Sequence, residues 1–361
     1  MQSKQKNLIF AEYYNILLYM KKRNRNILLI VIIGIILIGT ACAGTLYITL
    51  FKPAFKTSAE IYIDRDDTVD SVFRKMQKIA SPTGMQGFKW LDRYYGYGKN
   101  IRTGRYTVKP GDNMYHVFRR LVVGYQTPIN ISFNNIRTRE QLAQVLAKQL
   151  MIDSAEIARP LHDSAFCARM GYKDETIISM FIPNTYEVYW DITADKLLGR
   201  MQKEHERFWN KSRLDKAKAI GMTPEEVSTL ASIVEEETNN NAEKPMVAGL
   251  YINRLNKGML LQADPTVKFA LQDFGLKRIY NAHLNVDSPY NTYKHTGLPP
   301  GPIRIPSIKG IDSVLNYAKH NYIYMCAKED FSGTHNFATN MAQHQANARK
   351  YWNALNARNI K

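Results

Sequence analysis

Three consecutive acids, Glu235-Glu236-Glu237, close a run that opens at Thr223-Pro224-Glu225-Glu226. A threonine, then a proline, then a glutamate three residues after the threonine are the marks of a capped helix start, so the run is expected to be helical. Val227, Leu230 and Val234 recur at spacings of three and four, with Ala231 and Ile233 at the border, and define a face turned to a core. Three residues further on lies Glu237. At about 100° per residue, Glu236 points away from that face and Glu235 falls between it and the Ala231 flank. A carboxyl drawn partly out of water favours its neutral form and can hold a proton to donate near neutral pH. Periodicity therefore offers Glu237 as a general acid and base, beside the plainer reading of a solvated acidic helix end.

The residues downstream suit such a carboxyl. Lys244 to Leu255 reads as a second helix, ended at Gly258. Beyond it, Met259 to Val267, Ser288 to Tyr293, Gly297 to Ile303 and Thr334 to Asn340 are polar, amide-rich and aromatic loops, the lining of a carbohydrate groove rather than of a phosphate or metal site. The cysteines Cys42, Cys167 and Cys326 are odd in number and far apart, without C-x-x-C spacing. They are read as structural thiols, and neither metal nor cofactor is expected.

These loops need a scaffold, and the pattern is α+β. Ser58 to Ile63 alternates like a half-buried strand, and Asp67 to Ile79 looks helical. Gly104 to Asp112 gives a strand and a Pro-Gly turn leading into Met114 to Leu121, whose Met114, Val117, Phe118 and Leu121 have helical spacing. Ile129 to Phe133 is a further strand, and Arg139 to Gly221 is mostly helical. Within that stretch, Met180 to Trp190 gathers aromatic residues around Pro183-Asn184. This texture suits the faces of sugar rings, with Tyr186 as a candidate contact, or equally a hydrophobic hinge.

Upstream, Ile27 to Leu50 is uncharged and of bilayer-spanning length. Lys21, Lys22, Arg23 and Arg25 precede it, so the positive-inside rule keeps the N-terminus in the cytoplasm and places the remainder outside. A cleaved signal peptide and a lipoprotein modified at Cys42 are the rivals; the apolar run is long for the first, and Gly39-Thr40-Ala41 fits a lipobox poorly. The formal net charge of +17 suits an anionic membrane or cell wall. A generally basic surface explains it as well, and no nucleic-acid partner is expected. The resulting division is a basic tail at 1–26, a membrane helix at 27–50, a membrane-proximal module at 51–128 and a catalytic domain at 129–361. At 361 residues the chain has ample core without disulfides.

The order A-S-I-V-E-x-E-T at Ala231 to Thr238, I-N-R-L at Ile252 to Leu255, L-Q-x-D-P-T-V at Leu261 to Val267, Y-N-T-Y at Tyr290 to Tyr293, G-L-P-P-G-x-I at Gly297 to Ile303 and H-x-F at His335 to Phe337 resembles the endolytic murein transglycosylase (MltG, YceG-like) family. The resemblance covers nearly the whole chain after the apolar segment. It implies a single-pass inner-membrane protein with a LysM-like part, consistent with Y-T-V-x-x-G-D at Tyr106 to Asp112, and a mainly helical lytic transglycosylase domain with ancillary strands. It assigns the catalytic acid to the second glutamate of E-x-E, here Glu237. Ser179 to Tyr186 departs from the family's F-P-D-T-Y wording, and Glu236 places an extra charge beside Glu237 that is expected to raise its pKa.

The implied reaction cleaves the MurNAc-GlcNAc bond of nascent strands to 1,6-anhydroMurNAc ends, terminating glycan elongation beside cell-wall synthases such as penicillin-binding proteins. Gln262, Asn291 and Asn336 are candidate positioners of sugar N-acetyl groups, and Glu235, Tyr290 and Tyr293 are further candidate contacts. Asp264 either binds substrate or caps the turn before Pro265, the turn being favoured. For His335 a structural hydrogen bond is favoured over an assisting role. A water-using muramidase with Glu235, Glu237 or Asp264 as second carboxylate, and a non-catalytic glycan-binding scaffold, are the competing functions.

Overall fold

The computed structural model describes residues 2–358 apart from Lys277, and side chains from Tyr13 onward apart from Ile16, Tyr19 and Lys277. The side chains of Lys4, Lys6 and Glu12 therefore lie outside the described residues. The chain forms two compact units, Met1–Thr127 and Pro128–Lys361, and the elements are mixed helix and small two-stranded sheets.

The first unit begins with α1 (Gln2–Leu50), whose Tyr13–Leu50 portion has a mean hydropathy of 2.8 and is long and apolar enough to cross a membrane. The helix extends well upstream of Ile27, because nothing from Lys21 to Asn26 is a helix breaker. After it come β1 (Ala59–Ile63), α2 (Val69–Gln77), α3 (Pro82–Tyr95), β2 (Gly104–Val108) and α4 (Met114–Val123). Strands β1 and β2 pair antiparallel with Ile61 opposite Tyr106. Ile61 and Ile63 face the core from one strand, Tyr106 and Val108 from the other, as the period of two demands. Asn113 caps α4, which buries Met114, Val117, Phe118 and Leu121. Gly87 of α3 lies so near the end of α1 that a Cβ there would stand 2.4 Å from the Thr49 carbonyl oxygen. Only glycine permits that approach.

The second unit contains β3 (Ile129–Ser132), α5 (Arg139–Ala147), α6 (Ser154–Leu161), α7 (Ser164–Arg169), β4 (Thr185–Val188), α8 (Ala194–Phe208), α9 (Lys211–Ala219), α10 (Pro224–Glu237), α11 (Lys244–Asn256), α12 (Asp264–Leu271), α13 (Ile308–Leu315), β5 (Tyr324–Ala327), β6 (His335–Ala338) and α14 (Met341–Ala357). One hydrophobic cluster gathers β3, β4 and α5 to α8. A second is built from α10, α11 and α13 with Leu261, Ala263 and Ile303.

Three segments differ from their sequence reading. The aromatic stretch around Pro183 contributes β4, paired to β3 with Tyr186 opposite Ile131. Tyr186 is 5% exposed, stacks on Phe133 at 5.9 Å and donates its hydroxyl to the Ile182 carbonyl, so it packs a core instead of presenting a sugar-binding face. Asp264 to Leu271 is a helix where a loop was expected; Pro265 sits in its first turn, where the missing N–H costs nothing. His335 to Ala338 is a strand opposite β5.

Candidate active site

Helix α10 starts on the capping box read from sequence, with Thr223 Oγ1 accepting from Glu226 N–H and the Glu226 carboxylate accepting from Thr223 N–H. Every residue from Val227 to Val234 is buried, polar ones included. Ser228, Thr229 and Ser232 manage this by donating their hydroxyls to carbonyls three or four residues back. The helix is thus enclosed on all sides, and the three acids at its end are distinguished by their partners.

Glu235 lies 3.0 Å from the nearly buried Lys244 Nζ and accepts the Ser307 hydroxyl at 2.8 Å. Glu236 accepts Nη2 of Arg137 on both oxygens, at 2.8 and 3.0 Å, and Nη1 of Arg304 at 2.7 Å. Both acids are neutralised in place. Glu237 makes no salt bridge among the described residues; its Oε1 accepts the Tyr251 hydroxyl at 2.7 Å. Glu236 therefore spends its charge on two arginines and is not among the groups that raise the pKa of Glu237.

Glu237 stands in a cleft of about 290 Å³. Helix α11 contributes Tyr251 and Arg254, one turn apart on the same face. The approach to α12 contributes Gln262 and its first residue Asp264, a later turn contributes Tyr293, and β5 and β6 contribute Cys326 and His335. Arg254, 7% exposed, braces this wall: Nε donates to the Ile323 carbonyl at 2.6 Å and Nη1 to the Leu261 carbonyl at 2.8 Å. Gln262 has a left-handed backbone (φ 49°) and donates its N–H to the Thr292 carbonyl. Tyr293 donates its hydroxyl to Asp264 Oδ1 at 2.6 Å. His335 is held by Glu243, whose carboxylate takes the His335 backbone N–H at 2.6 Å and Nδ1 at 3.0 Å.

The carboxyl of Glu237 is pushed up to about 7, chiefly by burial, with the Asp264 charge adding to the rise. The Tyr251 hydrogen bond, His335 and Arg254 pull the other way without cancelling it. Its position as the last residue of α10 adds the negative end of the helix dipole, which also disfavours a carboxylate. A rise of that size corresponds to about 3 kcal/mol favouring the protonated over the ionised form. Burial also raises Tyr251 and Tyr293, so both hydroxyls remain donors.

Of the residues chosen from sequence, Gln262, Asp264, Tyr293 and His335 join Glu237 in the cleft. Asp264 is the first residue of α12, after Ala263 at the cap position, so its carboxylate, held by the Tyr293 hydroxyl, lines the cleft rather than capping the turn. Glu235 is bound to Lys244. Asn291 is fully buried and donates to the Leu284 and Val286 carbonyls, fixing the turn that carries Tyr293. Asn336 donates to Glu329 at 2.6 Å. Tyr290 packs on Phe269 at 4.7 Å and lines a separate hollow of about 430 Å³ with Arg137 and Arg139. Tyr186 belongs to the other hydrophobic cluster. Sequence reasoning missed Tyr251, Arg254, Glu243 and Cys326. The first two share a face of the helix already read at Lys244 to Leu255, a signal that was available; nothing local marks Glu243.

A larger hollow, about 900 Å³, lies around Thr223, Glu225 and Gly297 to Pro300 at the opposite end of α10, about 20 Å along the helix from Glu237. None of the residues gathered around Glu237 lines it. Among the described residues no group of three or more His, Cys, Asp and Glu side chains is placed to hold a metal ion.

An α+β scaffold thus places a buried carboxyl of raised pKa, without an ion-pair partner among the described residues, in a cleft of phenols, an amide and an imidazole, an arrangement able to give and take a proton. The chain belongs to the YceG-like family, whose model matches residues 61–350. It is similar to the endolytic murein transglycosylase of Bacillus subtilis (strain 168), 26% identical over 321 residues covering 83% of this chain and 87% of that protein. The endolytic murein transglycosylase of Streptococcus pneumoniae (strain D39) is 27% identical over 307 residues, 74% of this chain, and the match spans about half (53%) of that longer protein. Among solved structures, a putative yceG-like protein of Listeria monocytogenes has a TM-score of 0.54 at 26% identity, covering 80% of this chain and 98% of that one.

Proposed function

We propose that the protein is an endolytic lytic transglycosylase of peptidoglycan. The observation that carries this reading is Glu237, the one member of its acidic triplet without a cationic partner, holding a proton near neutral pH inside the cleft. Relatives named endolytic murein transglycosylase supply the substrate class. Glu237 protonates the oxygen between MurNAc and GlcNAc, and the C1–O bond breaks. The muramoyl C6 hydroxyl then attacks C1 and gives up its proton to a base, in the simplest version the Glu237 carboxylate. The product is a 1,6-anhydroMurNAc end, and no water is consumed. Gln262, Asp264, Tyr293 and His335 orient the sugars.

Within this reading the enzyme is anchored by α1 with its N-terminus cytoplasmic, supported by the basic residues Lys21 to Arg25 ahead of the apolar run. The first unit adds glycan affinity through a LysM-like role, for which its exposed Trp90, Tyr94 and Tyr125 offer faces for sugar rings. Terminating nascent strands beside a cell-wall synthase is the corresponding physiological role.

Asp264 in the same cleft favours one second reading, a hydrolase with two carboxylates. Mass spectrometry of products from purified glycan strands decides: anhydro ends support the transglycosylase, reducing ends the hydrolase, and no cleavage leaves a binding scaffold.

A further inference from the structure

Oε1 of Glu237 already accepts the Tyr251 hydroxyl at 2.7 Å. With Oε1 so held, Oε2 is the oxygen placed to donate a proton to the glycosidic oxygen, and collecting one from the incoming hydroxyl, at a different point around C1, sets a second positional demand on the same fixed carboxyl group. A second acceptor in the cleft removes that conflict.

Such an acceptor is present. Both oxygens of Glu243 are committed to His335, one to its backbone N–H at 2.6 Å and one to Nδ1 at 3.0 Å. The carboxylate side chain is 8% exposed and the imidazole 16%. Such a two-point grip fixes the ring and requires a proton on Nδ1, which leaves the Nε2 lone pair as an acceptor in the neutral ring. Nε2 has no protein hydrogen bond among the described residues, and the ring lines the same cleft as Glu237. A carboxylate orienting an imidazole toward a substrate hydroxyl is the logic of a general base.

We propose that His335, oriented by Glu243, is the base that deprotonates the attacking hydroxyl, so that acid and base in this cleft are two different side chains. The proposal rests on the transglycosylase reading. The Glu237 proton goes to the glycosidic oxygen as the C1–O bond breaks, the C6 oxygen bonds to C1, and the C6 hydroxyl proton moves to Nε2. The imidazolium then returns a proton to the Glu237 carboxylate through solvent, so the cycle closes without net change. Glu243, Glu237, Asp264 and Arg254 are the charged groups around the ring, and Tyr251, Tyr293 and the Cys326 thiol complete the polar ones.

The experiment is the pH profile of anhydro-end release by the full chain and its variants. The wild type is expected to be bell-shaped, limited on the alkaline side by Glu237 and on the acid side by protonation of His335. H335Q should lose roughly a hundredfold or more in kcat, a typical general-base contribution, with KM little changed and the acid limb gone. E243Q should fall between the two and keep the limb. Added imidazole should raise the rate of H335A, a result no structural role produces. Wild-type kcat in H335Q, a persistent acid limb, an effect on KM alone, or no imidazole rescue overturns the proposal. E237Q separates the two readings: inactivity of E237Q beside a normal H335Q removes only the dyad, whereas an active E237Q removes the transglycosylase acid itself.

Discussion

Tyr251 in the middle of α11 donates its hydroxyl to Oε1 of the last residue of α10, Glu237, at 2.7 Å. This bond favours the carboxylate, opposing the burial that favours the acid. Tyr251→Phe should therefore move the alkaline limb of activity to higher pH and lower the maximal rate about fivefold through lost orientation, a net hydrogen bond being worth about 1 kcal/mol. A limb that moves to lower pH in that variant's pH–rate profile would show that the bond does not stabilise the charged form.

The opposite displacement is expected at Asp264, whose charge raises the Glu237 pKa. Asp264→Asn should bring the alkaline limb down from its position near pH 7. If Asp264 is instead a second catalytic carboxylate, the variant loses turnover at every pH rather than shifting its profile.

The three consecutive acids should fail in different ways. Glu237→Gln should lose about a hundred- to ten-thousandfold in anhydro-end release while folding normally. Because the folded-state pKa of Glu237 is raised, its protonated form is fully stabilising below about pH 4.5, and that stability is lost as pH rises toward 7. At pH 8 the Glu237→Gln protein should thus melt at or above the wild-type temperature. Glu235→Gln and Glu236→Gln break ion pairs whose acidic side chains are 14% and 16% exposed, and should melt several degrees lower while the folded fraction keeps much of its activity. Calorimetry beside the product assay distinguishes the two behaviours.

A chain beginning at Pro128 should fold alone, since both hydrophobic clusters of the second unit are built from its own residues. It should release anhydro ends from soluble strands with a higher KM. A folded but inactive product would mean that the first unit completes the site.

A reporter fused after Lys56 should be active only on the outer side of the membrane, because Lys21, Lys22, Arg23 and Arg25 precede the apolar run. Activity in the cytoplasm rejects that orientation.

Sequence was most informative where geometry is local. The Thr223 cap, the four buried residues of α4 and the start of α11 at Lys244 all follow from short-range rules and appear as expected. The Ser81 cap and Pro82 that open α3 were equally local and went unread. Helical phase reached Glu237, yet its premise of a one-sided stripe fails, because Ser228, Thr229 and Ser232 are buried as well. What separates Glu237 from its neighbours is the position of Lys244 at the start of the next helix and of Arg137, Arg304 and Ser307, brought from distant parts of the chain. Tyr290 and Tyr293 show the same limit: three residues apart in one motif, they face different hollows, and only the tertiary packing of Phe269 and Asp264 reveals which is which.

The final turn of α10 behaves as a reading frame. Deleting Glu235 would slide Glu236 and Glu237 into the two ion-paired slots and bring Thr238 to the cleft, leaving both ion-paired slots filled and no glutamate in the cleft to donate a proton. Inserting an alanine after Val234 does the reverse: a glutamate still reaches the cleft and another still meets the arginines, but Lys244, 3% exposed, faces a methyl group. A lysine buried without its counter-ion is strongly destabilising. One frameshift of the helix thus erases chemistry and keeps the fold, while its mirror keeps the chemistry and erodes the fold.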